Sequence, residues 1–433
     1  MRLRRPASVL AALLALAVTA AGCGGDPAPA PDDAAAPPSS SAVATPSPTV
    51  KDARGDRARE ARREREERRE RREEREARAL AELAEQTRVD QQAERDAARE
   101  RRQRAVSRNP LAGRRWGVYQ GPQEMAWDPY VRASGATKRT LAVIALAPKA
   151  KWMGHWIPDG EIYSRTRDYI ANAQAGDPET LVQMTMFRMV PWEQETCRRL
   201  PTKAEQASYK RWTDSFARAI GRTPTAIVLQ PDGPFALCAP GGSTLPSSLI
   251  AYSARVLSAL PRTSVYIEAG AADWPAAGQG GVDRAADVLV PAGIEYARGF
   301  ALNGTHYSST SDEVRRGAAL VKELASRGVP GKHFVVNTSG NGQGFEFGTY
   351  QGPDPLNAWT CRSKSDPRTC VALGIPPTAD VSAARWGLPD DVRRLARAHA
   401  DAYLWFGRPW LYRQNEPFQM KRALAVVRSS PYV

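Results

Sequence analysis

Between residues 140 and 409 the sequence returns repeatedly to one kind of segment, a short apolar run that ends in a polar or glycine-bearing stretch. The runs are "TLAVIALAP", "TLVQMTMF", "TAIVLQP", "SVYIEAG", "GFALNG", "HFVVNTSG" and "AYLWFGRP". Amphipathic stretches at 204–220, 247–260, 311–327 and 390–402 lie between several of them. Strand and helix in alternation build a parallel sheet covered on both faces, and seven or eight such units in about 320 residues suit an α/β fold closed into a barrel. Barrels of this kind carry their chemistry at the C-terminal strand ends. Asp232, Glu268 and Asn303 each stand at such an end. Asp232, between Pro231 and Gly233, also suits an ordinary turn; its company with two other polar strand ends favours a site.

The barrel-like region, residues 109–433, is only part of the 433-residue chain. Arg2, Arg4 and Arg5 precede an apolar run over residues 9–18, and Ala20-Ala21-Gly22-Cys23 follows. A positive head and an apolar stretch shorter than the roughly 20 residues of a spanning helix read as an export signal over 1–22. The small residues before Cys23 resemble a bacterial lipobox, which would lipidate Cys23 and hold the chain on the outer face of the cytoplasmic membrane. Cleavage at an ordinary small-residue site would secrete it instead. Residues 23–50 are Pro-, Ala- and Ser-rich, have almost no large apolar side chains and read as a flexible tether. Residues 51–108 carry about 20 basic and 16 acidic side chains at spacings that suit i,i+4 pairs. Apolar a and d positions appear only briefly, around Leu80 and Leu83, so a charged helical spacer is expected rather than a heptad coiled coil. A disordered polyampholyte is the alternative.

The formal charge of +14 leaves about ten positive charges on 109–433 once the spacer and signal are removed. That surplus suits an anionic wall. No basic-aromatic motif accompanies it, so no nucleic-acid partner is expected. With four histidines and no ligand spacing, neither a metal nor another cofactor is expected. Cys23 aside, the exported chain keeps Cys197, Cys238, Cys361 and Cys370, which read as two disulfides with three possible pairings.

The motifs "NPLAG", "PKAKW", "YKRWTDSFARAIGRTPTAIVLQPD", "VYIEAGAADW", "GFALNGTHY", "HFVVNTSGNG", "LGIPPT" and "LWFGRP" occur in an order that resembles glycoside hydrolase family 6, over essentially 109–433. That resemblance implies a distorted, seven-stranded parallel β/α barrel and inverting hydrolysis of β-1,4-glucan, a polysaccharide or oligosaccharide substrate, by a monomer. It makes Asp232, in Gln230-Pro231-Asp232, the general acid of the family's Glu-Pro-Asp motif. Such an acid must be held protonated by burial or a neighbouring charge, which implies an acidic-to-neutral optimum. The resemblance further implies sugar contacts by Trp152, Trp274 and Trp359 and a polar contact by Asn303. It supplies the Cys197–Cys238 bridge, leaving Cys361–Cys370 as the second.

Several positions depart from the family pattern. Glu268-Ala269-Gly270-Ala271 replaces Asp-Ala-Gly-His, and Glu195-Thr196-Cys197 stands where many members have Arg-Asp-Cys. Glu195 or Glu193 is the residue left to support the acid. Near the C-terminus "FGRPWLYRQNEPF" puts Arg413 where the family base is expected. An inverting enzyme needs a second carboxylate about 6.5–9.5 Å from the acid, and Glu416, Glu268 and Glu195 are the candidates. These departures leave a second reading, a catalytically impaired relative that binds glycan, and a third, a structural envelope lipoprotein.

Overall fold

The computed structural model describes residues 59–75, 77–78, 81–82, 85, 88–89 and 109–433. The expectations for the signal segment, Cys23, the tether and most of the charged spacer lie outside the described residues. The chain divides into two units, Met1–Ala81 and Glu82–Val433. In the first, residues 59–75 are helical with exposed side chains. Arg68–Glu64, Arg71–Glu67 and Arg69–Glu73 pair one turn apart at 2.7, 3.7 and 2.9 Å. Exposed pairs of this kind contribute about 0.2–0.5 kcal/mol each, so helicity there leans on many small terms.

In the second unit seven parallel strands lie side by side in chain order: β1 (Lys151–Gly154), β2 (Val182–Phe187), β3 (Thr225–Leu229), β4 (Thr263–Glu268), β5 (Gly299–Leu302), β6 (His333–Asn337) and β7 (Ala400–Leu404). The register sets Met184 beside Ile227 and Ile227 beside Val265. Alternate residues serve two cores. Ala226, Val228, Tyr266, Ala301, Val335 and Ala402 fill the inside of the curl. Ile227, Leu229, Val265, Ile267, Phe300 and Phe334 meet the helices outside. Because both faces are buried, the strands read as nearly continuous apolar runs.

The edge strands β1 and β7 do not pair as strands. Instead Ala150 N–H donates to the Trp405 carbonyl at 2.9 Å, and Trp152 Nε1 donates to the Phe406 carbonyl at 2.5 Å. The sheet therefore curls into a distorted seven-stranded barrel with a seam between its first and last strands. Inside it, Asp401 accepts from Tyr266 Oη at 2.7 Å and from Arg298 at 2.8 and 3.0 Å, so its buried charge is matched.

Helices at Lys203–Ile220, Leu245–Ser258, Thr310–Ser326 and Asp390–His399 occupy the expected amphipathic stretches. The first opens with a capping box in which Thr202 and Glu205 satisfy each other's backbone N–H. One strand expectation is corrected. "TLAVIALAP" does not form a strand: Gly135–Ala145 is a helix burying Leu141, Ile144 and Ala145. Spacing of three and four places those side chains on one helical face, and an apolar run this short fits either period. The first strand is the neighbouring "KWMG".

Candidate active site

Asp232 leaves the end of β3 through an unusual backbone path. Gln230 and Asp232 both take positive φ, +52° and +63°, on either side of Pro231. Left-handed conformations cost non-glycine residues about 1–3 kcal/mol each unless their surroundings enforce them. Here they do. Gln230 Oε1 accepts the backbone N–H of Arg188 and Met189 at 3.3 and 3.1 Å, and Trp192 Nε1 donates to the Pro231 carbonyl at 2.8 Å. Gly233 is required next, because a Cβ there would stand 2.0 Å from the Glu268 carbonyl oxygen. Proline and glycine thus aim the carboxyl rather than merely ending a strand.

Asp232 is 8% exposed and opens onto a cleft of about 660 Å³. Burial pushes its carboxyl up to about 6, and the nearby charge of Glu193 adds to the rise. Thr305 Oγ1, donating to Asp232 Oδ1 at 2.9 Å, and the charge of His306 pull the other way. Behind it, Glu268 is 1% exposed and is pushed up to about 8, first by burial and then by the charge of Asp232. The Gly233 N–H donates to Glu268 Oε2 at 2.9 Å. Two neighbouring carboxyls both raised by burial at a strand end make this cleft the candidate site.

The other expected residues divide. Glu416 lines the cleft with Asp232. Glu268 does not: it is buried behind the acid and ties the β4 end to the Asp232 loop. Glu195 is exposed and pairs with Arg199 at 3.1 Å, whereas Glu193, two residues earlier and at φ +51°, lines the cleft. Asn303 is fully buried; its Nδ2 donates to the Ser308 and Asn337 carbonyls at 3.2 and 3.1 Å. These bonds brace the loop that carries Thr305 and His306.

The tryptophans divide too. Trp152 lines the cleft at 9% exposure, with the Arg408 guanidinium over its ring at 4.9 Å. Trp274 lies against His306, centroids 5.2 Å apart and 3° from parallel, and meets Phe235 edge-on at 5.1 Å. Half-buried, it braces the loop through these two contacts. Trp359 is 53% exposed but is not part of the cleft wall.

Sequence reasoning missed Trp156, the open aromatic of the cleft at 52% exposure. Its ring lies across Gly154, where a Cβ would come 2.3 Å from it. The glycine before "HW" was the available signal. It also passed over Lys151, His155, Thr305 and Arg408, all of which line the cleft. Cys197–Cys238 and Cys361–Cys370 are both bridged, with Cα atoms 4.7 and 4.9 Å apart. The first joins the Glu193 loop to the helical turn after Asp232. Among the described residues no group of three or more His, Cys, Asp or Glu side chains is arranged to hold a metal ion.

A parallel barrel with a protonatable carboxyl at a strand end, facing an open cleft with an exposed aromatic, has the build of a carbohydrate-processing barrel. The comparisons are specific. The family model for glycosyl hydrolases family 6 matches residues 117–386, and the chain belongs to that family. Endoglucanase A of Cellulomonas fimi is 31% identical over 228 residues, covering 53% of this chain and 47% of that protein. Endoglucanase 1 of Streptomyces halstedii is 29% identical over 240 residues, 53% of this chain and 70% of that one. The chain thus spans about half the length of the first relative. Endoglucanase Cel6 of Mycobacterium tuberculosis, solved with a methyl-cellobiosyl-thio-cellobioside, superposes with a TM-score of 0.57 at 27% identity, over 74% of this chain and 98% of that one. A cellobiohydrolase Cel6A from Humicola insolens shares the fold with a TM-score of 0.56 at 16% identity, over 76% of this chain and all of the other.

Proposed function

We propose that the chain hydrolyses β-1,4-glucan with inversion of the anomeric carbon, using Asp232 as general acid. The observation that carries this reading is Asp232 itself, buried enough to stay protonated up to about pH 6 yet open to the cleft. In the step we envisage, Asp232 gives its proton to the glycosidic oxygen as the C1–O bond breaks. A water on the opposite face of the sugar forms the new C1–O bond and loses a proton to a second carboxylate. Glu416 is our candidate for that base, since it lines the same cleft as Asp232. Glu193 assists the acid: beyond burial, its negative charge also disfavours ionisation of Asp232. Trp156 offers a sugar platform. The names of the relatives, endoglucanases and a cellulase solved with a thio-cellobioside, support a cellulose-like substrate.

The catalytically impaired reading is supported by Arg413, which stands at the position expected of the base and lines the cleft. Reducing-end release from soluble cello-oligosaccharides separates the two. Turnover that Asp232→Asn abolishes and Glu416→Gln strongly lowers supports the enzyme; binding without product from the parent chain supports the alternative. We further propose an exported monomer held to the membrane by lipid on Cys23, on the sequence argument for residues 1–23.

A further inference from the structure

The cleft carries a pair of cations that this mechanism does not use. Arg408 follows β7 across the barrel seam, and its guanidinium lies over the Trp152 ring at 4.9 Å. Its Nε is buried without a hydrogen-bond partner. The carboxylates whose charge reaches it, Glu124 and Glu416, form no ion pair with it. Lys151, at the start of β1, lines the same wall, and its Nζ donates to the Gln123 carbonyl. Glu124, the carboxylate whose charge reaches it, pairs with Lys149 at 3.6 Å.

Burial lowers Arg408 to about 10 and Lys151 to about 8; the charge of Glu124 offsets part of this at both, Glu416 adds to the offset at Arg408, and the charge of Arg408 lowers Lys151 further. Two half-desolvated cations that repel each other cost free energy unless an anion arrives between them. They do not serve the acid. The groups that set Asp232 are its burial, Thr305, Glu193 and His306, not this pair. Their field is directed at whatever occupies the cleft beside Trp152. A neutral sugar hydroxyl can accept from both but brings no negative charge to set against theirs. A carboxylate accepts from both, and a guanidinium fork matches its geometry.

We propose that Arg408 and Lys151 form a subsite for a carboxylate-bearing sugar, so that the preferred substrate is an acidic β-1,4-glucan rather than a neutral one. This rests on the glycosidase reading and narrows its substrate class.

The test compares neutral cello-oligosaccharides with chains of the same length carboxylated at C6. Binding is measured by calorimetry on the full chain carrying Asp232→Asn, and hydrolysis on the parent chain. The expected result is at least about tenfold tighter binding of the acidic chain, shrinking as salt rises. Arg408→Gln and, independently, Lys151→Gln should each cut that ratio, with thermal unfolding confirming that each variant is folded. Cleavage of the neutral chain with no advantage for the acidic one overturns the inference and leaves the glycosidase reading standing. An advantage that survives both substitutions overturns the assignment to this pair. Failure to bind or cleave either chain overturns both readings.

Discussion

Replacing Asp232 by asparagine should remove activity and, at neutral pH, make the protein more stable. An aspartate with an ordinary value of 3.8 is raised to about 6 in the fold, chiefly by burial. Below pH 3.8 both folded and unfolded states hold the proton, and the group costs nothing. Between the two values the unfolded chain has released it while the folded chain retains it, so stability falls as pH rises. Above about 6 the full cost is present, roughly two pKa units or about 3 kcal/mol. Asparagine is close in shape and keeps an oxygen to accept from Thr305, but it never ionises. The variant should therefore match the parent near pH 4 and exceed it by up to about 3 kcal/mol above pH 7, a shift of several degrees in melting temperature. Urea titrations of both proteins across pH 4 to about 8 measure this directly. A variant destabilised equally at both ends of the range would refute the burial argument, and one that still hydrolyses glucan at the parent rate would refute the assignment.

The remaining predictions are narrower. Glu193→Gln removes a charge that raises Asp232, so the alkaline limb of the kcat/KM profile should move below about pH 6; an unmoved limb contradicts that coupling. Gly154→Ala sets a methyl 2.3 Å from the Trp156 ring and should raise KM with kcat within about threefold, whereas an unchanged KM would show that Trp156 holds no sugar. Cys23→Ala should move the protein from the membrane fraction to the medium with hydrolysis intact; a variant that still sediments with membranes is held by something other than lipid.

The strands were legible because burial on both faces leaves almost no choice of residue, as in "TAIVL" and "HFVVN". The misread run, "TLAVIALAP", is apolar enough to satisfy either period, and only its neighbours reveal that Leu141 and Ile144 share a helical face. Asp232 could be found from its strand end because that position is local to the chain. Its surroundings could not. Glu193 and Glu195 sit two residues apart in one loop, and only the fold shows that Glu195 turns away to Arg199 while Glu193 meets the cleft. Asn303 and Glu268 show the reverse case. A polar residue at a strand end can point under the loop as readily as into the cleft, and burial decides which. Arg408 was hidden because its meaning lies in lacking a partner, which a sequence does not display.

The central claim is that this cleft protonates a glycosidic oxygen from Asp232 while water attacks from the opposite face. Proton NMR of the first product formed from a cello-oligosaccharide, read before mutarotation, tests it most directly. The account predicts the α-anomer at the new reducing end, formed by the parent chain and not by Asp232→Asn. A β-anomer would mean double displacement through a covalent intermediate, and the roles given to Asp232 and Glu416 would be wrong.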